Sequence, residues 1–440
     1  MPQAEGPFAA LFRAKVDDIL DACSRCGKCV EVCPMVRPAG IDAAEPPAVV
    51  GGVLDLLGGG EGTEAARRWA AVCSGSGFCI DACGDGVNPR FMLSLARLAI
   101  EQGKGEAATR AAGKQNFQDM TRSVRVLSRL QLSPDQLRRL GQLPGGEPAP
   151  ADPEVVFYTG CNILRTPHIA LHCLDVLDAL AVPYAVHGGP GSCCGILQLR
   201  GGDQANAERQ ASKSIERFAD TGAAEVISWC PTCQIQMGEA MLPAYSDAGP
   251  APFDLTIFPV WLAQRLDRLK PLFVHRVEKR VGLHEHPGIP GVTEAVQTIL
   301  KAIPGLDFVD LRQPQVGYMC NALRPMPEYT RQLHQAQLEA AETAGVDTLA
   351  GVYHACHRDL CSHQRDWPFE VVNFMELVGE AMGICHPDRF KQLKLMQDAD
   401  AILADSAEMI AQYDLDPEEV RAVVLKAMIG EQPLPLRGGA

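Results

Sequence analysis

Five cysteines between residues 161 and 233 stand in a frame that suits metal chemistry: Gly160-Cys161, Ser192-Cys193-Cys194-Gly195 and Cys230-Pro231-Thr232-Cys233. Two adjacent thiols flanked by small residues, with a Cys-x-x-Cys and a single cysteine far away in sequence, fit a cluster whose irons are held from three loops. A single zinc would take only four ligands. Use as apolar filler accounts for one or two buried cysteines, not for five with glycines and a proline at the turns.

A second set lies near the start. Cys23-Ser24-Arg25-Cys26-Gly27-Lys28-Cys29-Val30-Glu31-Val32-Cys33-Pro34 is the Cys-x2-Cys-x2-Cys-x3-Cys-Pro run of bacterial ferredoxins, in which three thiolates hold one cubane [4Fe-4S] cluster and the fourth reaches across to another. Cys73-Ser74-Gly75-Ser76-Gly77-Phe78-Cys79-Ile80-Asp81-Ala82-Cys83-Gly84 repeats the frame, with serine in place of the second cysteine and glycine in place of the proline. Crossed ligation assigns Cys23, Cys26, Cys29 and Cys83 to one cluster, and Cys33, Cys73 and Cys79 to a second with Ser76 at its fourth corner. Three thiolates suffice for a [3Fe-4S] cluster; a serine-ligated or open-cornered [4Fe-4S] cluster is the alternative, and an empty site is a third.

The elements that must position these residues follow from periodicity. The pattern predicts a helix over 8–21, another from Asn88-Pro89 to Glu101, and an amphipathic helical stretch from Gly113 to about Leu140 that ends in a Pro/Gly-rich linker. Strands at 155–158, 184–187 and 225–229 alternate with helices at 167–180 and 204–220, so each cysteine loop falls at the carboxyl end of a strand. That end of an open parallel sheet is the usual ligand crevice. An offset of 126 residues carries Cys161, Cys193, Cys194, Cys230 and Cys233 to Pro287, Met319, Cys320, Cys356 and Asp359. Strands at 281–283 and 348–353 and helices at 293–303 and 328–343 repeat with it. The second half therefore reads as a sister unit with an altered metal site, drawn from His284, His286, Cys320, Cys356 and Cys361, with His354, His357 and His363 nearby. Such a set suits zinc or a differently ligated cluster, unless it is a vestige kept for packing. Cys173 and Cys385 are read as structural, and the helical residues after Pro387 as packing on the second unit or on a partner.

Composition bounds the function. The 440 residues are 47% hydrophobic and 21% charged, which is globular and leaves room for several domains. A net charge of -14 and a pI near 5.3 exclude a basic nucleic-acid or anionic-membrane surface. No apolar run reaches transmembrane length, and the first residues lack a signal-peptide pattern. A cytoplasmic location is expected, with any attachment to the inner face of a membrane made through partners; seventeen cysteines there are metal ligands rather than disulfides. No Gly-x-Gly-x-x-Gly follows a strand and no phosphate loop is present, so neither FAD nor NAD is expected on this chain.

The Cys, Cys-Cys-Gly, Cys-x-x-Cys pattern resembles the cysteine-rich CCG domain in the B component of heterodisulfide reductase, and the first 110 residues resemble its C component. Together they resemble the fused C/B arrangement of the D component and of the iron-sulfur subunits of glycolate, lactate, succinate and glycerol-3-phosphate dehydrogenases. The resemblance implies a multidomain fold. It comprises an N-terminal α-helical ferredoxin module (1–112), a helix and linker (113–150), two repeated α/β CCG domains with small parallel sheets (151–270 and 271–400), and a helical tail (401–440). It implies that Cys161, Cys193, Cys194, Cys230 and Cys233 hold a noncubane [4Fe-4S] cluster. It also implies an electron-transfer subunit working between a flavoprotein dehydrogenase and a quinone, an electron-transfer flavoprotein or another carrier; the alternative is an enzyme that reduces a disulfide at the CCG-domain cluster. Pro287, Met319, Asn321 and Asp359 depart from the family pattern in the second repeat and weigh against a second noncubane cluster.

Overall fold

The computed structural model describes residues 7–245 and 250–436; the opening residues and the glycine-rich end lie outside them. Six helices come first: Pro7–Ala22, Lys28–Glu31, Pro46–Leu57, Glu64–Val72, Phe78–Asp81 and Pro89–Gln102. Local chemistry places their starts. Thr63 and Asn88 accept hydrogen bonds from the backbone N–H groups of Ala66 and Phe91, which satisfies donors that the first turn cannot pair. The two four-residue helices each begin after a left-handed glycine, Gly27 at φ 83° and Gly77 at φ 90°. Only glycine adopts that turn cheaply, and it lets the chain double back between the cysteines.

The stretch expected to be helical from Gly113 to Leu140 is two helices, and the first begins earlier. Glu106–Arg129 runs unbroken through residue 112, where the family resemblance implies the end of the first module. Pro134–Arg139 follows after a capping box made by Ser133 and Gln136. Leu132 is buried between them.

Two four-stranded parallel sheets make up the rest. Strands β1 (Val155–Gly160), β2 (Tyr184–Gly188), β3 (Glu225–Ser228) and β4 (Asp254–Ile257) take the order β2-β1-β3-β4. Strands β5 (Arg280–His284), β6 (Asp307–Val309), β7 (Thr348–Gly351) and β8 (Glu370–Asn373) take the equivalent order β6-β5-β7-β8. Every residue of β1 and β7 is buried, as expected where helices cover both faces of a parallel sheet. Side chains alternate between the faces. Val155 and Phe157 join a core shared with Val281 and Leu283 of the second sheet, while Val156 and Tyr158 join a core with Trp69 and Leu93 of the first six helices. The far face of the second sheet, Leu349 and Val371, packs with Val126 and Leu127 and with the C-terminal helices through Phe390, Val420 and Met428. The tail thus packs on the second unit and on the long helix, and one continuous set of cores ties the chain together.

Residue 431 closes this packing. Glu431 pairs with Arg165 (2.9 Å), Arg358 (3.1 Å) and Arg324 (3.1 Å), of which the first two are buried. Burial alone would raise its carboxyl, but the three guanidiniums outweigh that and hold it well below the usual carboxylate range. Replacing Glu431 with glutamine leaves buried guanidiniums without a counter-charge, and we expect a loss of about 3 kcal/mol in urea titration at neutral pH. The folded value lies below the unfolded one, so this contribution is fully present above about pH 4.3 and is lost as pH falls toward the folded value. The gap between the native chain and Glu431→Gln should therefore narrow on acidification.

Candidate iron-sulfur and metal sites

The turns after Gly27 and Gly77 and the loops beside them gather the N-terminal cysteines into two small enclosed spaces. Cys23, Cys26, Cys29 and Cys83 surround one, with Lys28 and Asp85 at its edge. Cys33, Cys73 and Cys79 surround the other, together with Ser76 and Trp69. Asp85 accepts hydrogen bonds from the Ser24 N–H (2.8 Å) and hydroxyl (2.7 Å), which fastens the two cysteine runs to each other. Trp69 donates to Cys33 Sγ at 3.3 Å. Burial, then the neighbouring cysteines, push the Cys29 and Cys79 thiols up to about 12. Thiols so placed cannot all ionise without a cation among them, and that donor set fits iron.

Ser76 has other commitments. Its buried hydroxyl accepts the Gly317 N–H at 2.7 Å and lies 3.1 Å from the Ser74 hydroxyl. The Tyr318 N–H donates to the Ser74 carbonyl (3.2 Å), and Arg90 Nη1 donates to the carbonyls of Gly75 (3.2 Å) and Gly288 (2.6 Å). The loop that carries a serine instead of a cysteine is gripped by two loops of the second unit.

At the carboxyl ends of β1, β2 and β3, Cys161, Cys193, Cys194, Cys230 and Cys233 converge and all are buried. They form a chain of thiol contacts from Cys161 through Cys193, Cys194 and Cys233 to Cys230. Gly160, at φ 68°, makes this possible: a Cβ there would sit 3.1 Å from Cys233 Sγ. Cys193, Cys194 and Cys233 lie above the usual thiol range, each led by a bond to a neighbouring cysteine, with burial adding to it. Cys230 is held well below it, first by the bond from Cys233 and then by His354. Asn162 Nδ2 lies 3.6 Å from Cys161 Sγ. A cavity of about 800 Å³ opens in front of this set, with Met319 and Asn321 on its wall beside Cys161, Cys194, Cys230 and Cys233.

In the second unit, His284, His286, Cys320 and Cys356 are buried and place one donor atom each within 4.8 Å of all the others. Burial pushes the Cys320 thiol up; at Cys356 the Cys320 bond and the two histidines outweigh burial and hold the thiol well below its usual range. Cys361, which the sequence groups with this set, stands apart. It lies just past the end of the helix His354–Leu360 that carries Cys356, in the core with Trp367 and Phe390, where burial pushes its thiol up to about 12. The uniform offset also drifts. Tyr158 pairs with Ser228 as His284 pairs with Gly351, so the shift is 126 residues at β1/β5 but 123 at β3/β7. Cys356 therefore matches Cys233, Tyr353 takes the place of Cys230 before the following helix, and His284 takes the place of Tyr158.

The remaining histidines have separate surroundings. His354 lines the cavity in front of the first unit's cysteines, a placement across units that no local sequence signal marks. His357 bonds Asp388 at 2.7 Å beside His168 and Glu376. Since Asp388 and Glu376 each also cap a helix, we read that group as a buried ion network. His363 is pushed down to about 4 by burial. Cys173 is buried as expected, whereas Cys385, read as structural, is exposed because it follows the last turn of its helix in an open loop.

The arrangement of β1–β3 and its loops coincides with a known domain, matched over residues 155–238. This segment is a cysteine-rich CCG domain. Beyond it, the chain is homologous to iron-sulfur subunits over most of its length. It is 24% identical over 401 residues to the D component of dihydromethanophenazine:CoB--CoM heterodisulfide reductase from Methanosarcina barkeri, covering 83% of this chain and 94% of that one. It is 24% identical to the B component of fumarate reductase (CoM/CoB) from Methanothermobacter marburgensis, covering 84% and 75%. It is 22% identical to the glycolate oxidase iron-sulfur subunit from Escherichia coli, covering 84% and 95%. No solved structure matches the chain. No helix among the described residues is long and apolar enough to cross a membrane.

The two N-terminal spaces predict opposite effects for two cysteines that sit in each other's runs. Cys83→Ser should remove the electron paramagnetic resonance signal of the Cys23 site and spare the other, and Cys33→Ser should do the reverse. If Cys33→Ser abolishes the signal of the Cys23 site instead, the ligands are not crossed.

Proposed function

We propose that this chain is the iron-sulfur electron-transfer subunit of a multi-subunit oxidoreductase. It relays electrons between a flavoprotein dehydrogenase partner and a quinone, an electron-transfer flavoprotein or another carrier. The observation that carries the reading is the succession of three cysteine-lined sites in one connected set of cores, two in the N-terminal helices and one in the CCG domain. The names of the relatives support it, each being part of a larger reductase or oxidase.

In this reading Cys23, Cys26, Cys29 and Cys83 hold a [4Fe-4S] cluster. Cys33, Cys73 and Cys79 hold a [3Fe-4S] cluster, the hydroxyl of Ser76 being engaged by Gly317. The five CCG-domain cysteines hold a noncubane [4Fe-4S] cluster. When bound, these groups supply one-electron storage at potentials set by their surroundings. The chain's own residues do the setting: Trp69 and Asn162 point donors at Cys33 and Cys161, and the cores bury most of the surface of the CCG-domain thiols. The domain scheme is an N-terminal two-cluster module, an intact CCG domain and a second, altered one that holds zinc or a differently ligated cluster. The protein works in the cytoplasm, at the membrane only through partners.

A second reading has one observation in its favour. The cavity of about 800 Å³ brings solvent space to Cys161, Cys194, Cys230 and Cys233, as a disulfide-reducing enzyme would need. Against it, the second unit contributes Met319 and Asn321 to the cavity lining and, among the described residues, no cysteine.

Anaerobically purified chain should carry about eleven irons, and Cys194→Ser should lower that by about four. A tagged chain should bring down a flavin-containing partner from its host, whose substrate then bleaches the iron-sulfur absorbance. A chain that stays oxidised under those conditions but releases a dithiol from an added disulfide would favour the second reading.

A further inference from the structure

The second unit keeps the sheet order of the first but not its five-cysteine set. We propose that His284, His286, Cys320 and Cys356 bind a single zinc ion, and that this ion locks the two loops that grip the ferredoxin-type module. The inference rests on the proposed function and deepens it by replacing the open choice at this site with one metal and one role.

The geometry selects the metal. His284 Nε2 lies 3.1 Å and His286 Nε2 3.5 Å from Cys320 Sγ. Bonds of 2.0–2.1 Å to nitrogen and 2.3 Å to sulfur in a tetrahedron put these atoms about 3.5 Å apart, so little movement is needed to seat one ion. Two imidazoles and two thiolates also serve a two-iron cluster, but there the histidines bind one iron and the cysteines the other. A spacing of 3.1 Å between a histidine nitrogen and a cysteine sulfur leaves no space for two irons and their bridging sulfides. A four-iron cluster spreads its ligands further still. Among the described residues Cys320 also lies close to His334 and Asp359, but that group offers three donors, and Asp359 stands 3.9 Å from Arg324. A closed set of four with no open position is the pattern of structural zinc.

The surroundings point the same way. His286 Nδ1 bonds the Val316 carbonyl at 2.7 Å, which fixes the ring so that Nε2 faces the other three donors. Metal-bound histidines are commonly oriented by such a partner. The ligands come from the end of β5 and the loop after it, the segment after β6 and the helix after β7, and the ion would join all three at one point. Those same first two segments carry the contacts to the N-terminal module. Gly317 and Tyr318 donate to Ser76 and Ser74, and Gly288 accepts from Arg90. Met35 and Val72 pack there against Val316 and Leu323. Zinc does not change oxidation state, so the ion holds this joint without entering electron transfer.

Metal analysis of the full chain, with hydrogen exchange at Gly317 and Tyr318, tests the proposal. About one zinc per chain is expected, beside the iron. Cys356→Ser and His284→Ala should lose it and speed exchange of both amides, while Cys361→Ser retains it. His284→Cys preserves four donors and should keep zinc, which separates ligation from simple loss of folding. Cobalt loaded in place of zinc should show the absorption of a tetrahedral site with two thiolates. Zinc missing from the native chain, zinc retained in Cys356→Ser, or a two-iron signal that His284→Ala removes would each overturn the assignment. Because zinc and iron are counted separately, a failure here is distinct from a failure of the electron-transfer reading, which would appear in the iron count.

Discussion

A thiolate held away from water is stable only beside a cation, and most of this molecule is arranged around that constraint. Sixteen of its cysteines lie outside the exposed loop at Cys385, and twelve of these fall in three groups whose members press on one another. Burial and neighbouring cysteines push the thiols of Cys29, Cys79, Cys193, Cys194 and Cys233 up, while the bond from Cys233 holds Cys230 down. Short helices after left-handed glycines, and strands that end at the same edge of a sheet, are the two devices that bring them together.

The second device explains why the two halves can share a scaffold and differ in chemistry. The carboxyl edge of a parallel sheet collects whatever its loops carry. In the CCG domain the loops carry five cysteines; in the second unit the same edge receives His284 and His286 from one strand end and Cys320 and Cys356 from two others. The change replaces a five-thiol set with two imidazoles and two thiols. It also frees the loops around it to serve as a joint, and Ser76, the residue that interrupts the second ferredoxin-type run, is where that joint closes.

The cores impose a second constraint. Each sheet shares one face with the other and gives its second face to a different partner, the N-terminal helices for the first and the C-terminal helices for the second. The chain cannot move one unit without disturbing a face of another. The cavity before the CCG-domain cysteines is consequently bounded by both halves and by the tail, with Arg165, Arg324, Arg358 and Glu431 along its side.

Much was legible in the residues themselves. The spacing of Cys23 to Cys33 and of Cys161 to Cys233 announces metal, because loops short enough to wrap a cluster need their ligands at fixed intervals, and alternating strand and helix patterns place the second set at a sheet edge. The drift from 126 to 123 residues was not legible, since insertions fall in loops that carry no periodicity. Nor was the separation of Cys361 from Cys356, which depends on where a helix ends, or the approach of His354 to Cys230 from the other half of the chain. Local spacing determines which residues can bind together; which of the candidates actually meet is decided by packing between segments far apart in the chain, and that information is distributed over the whole core.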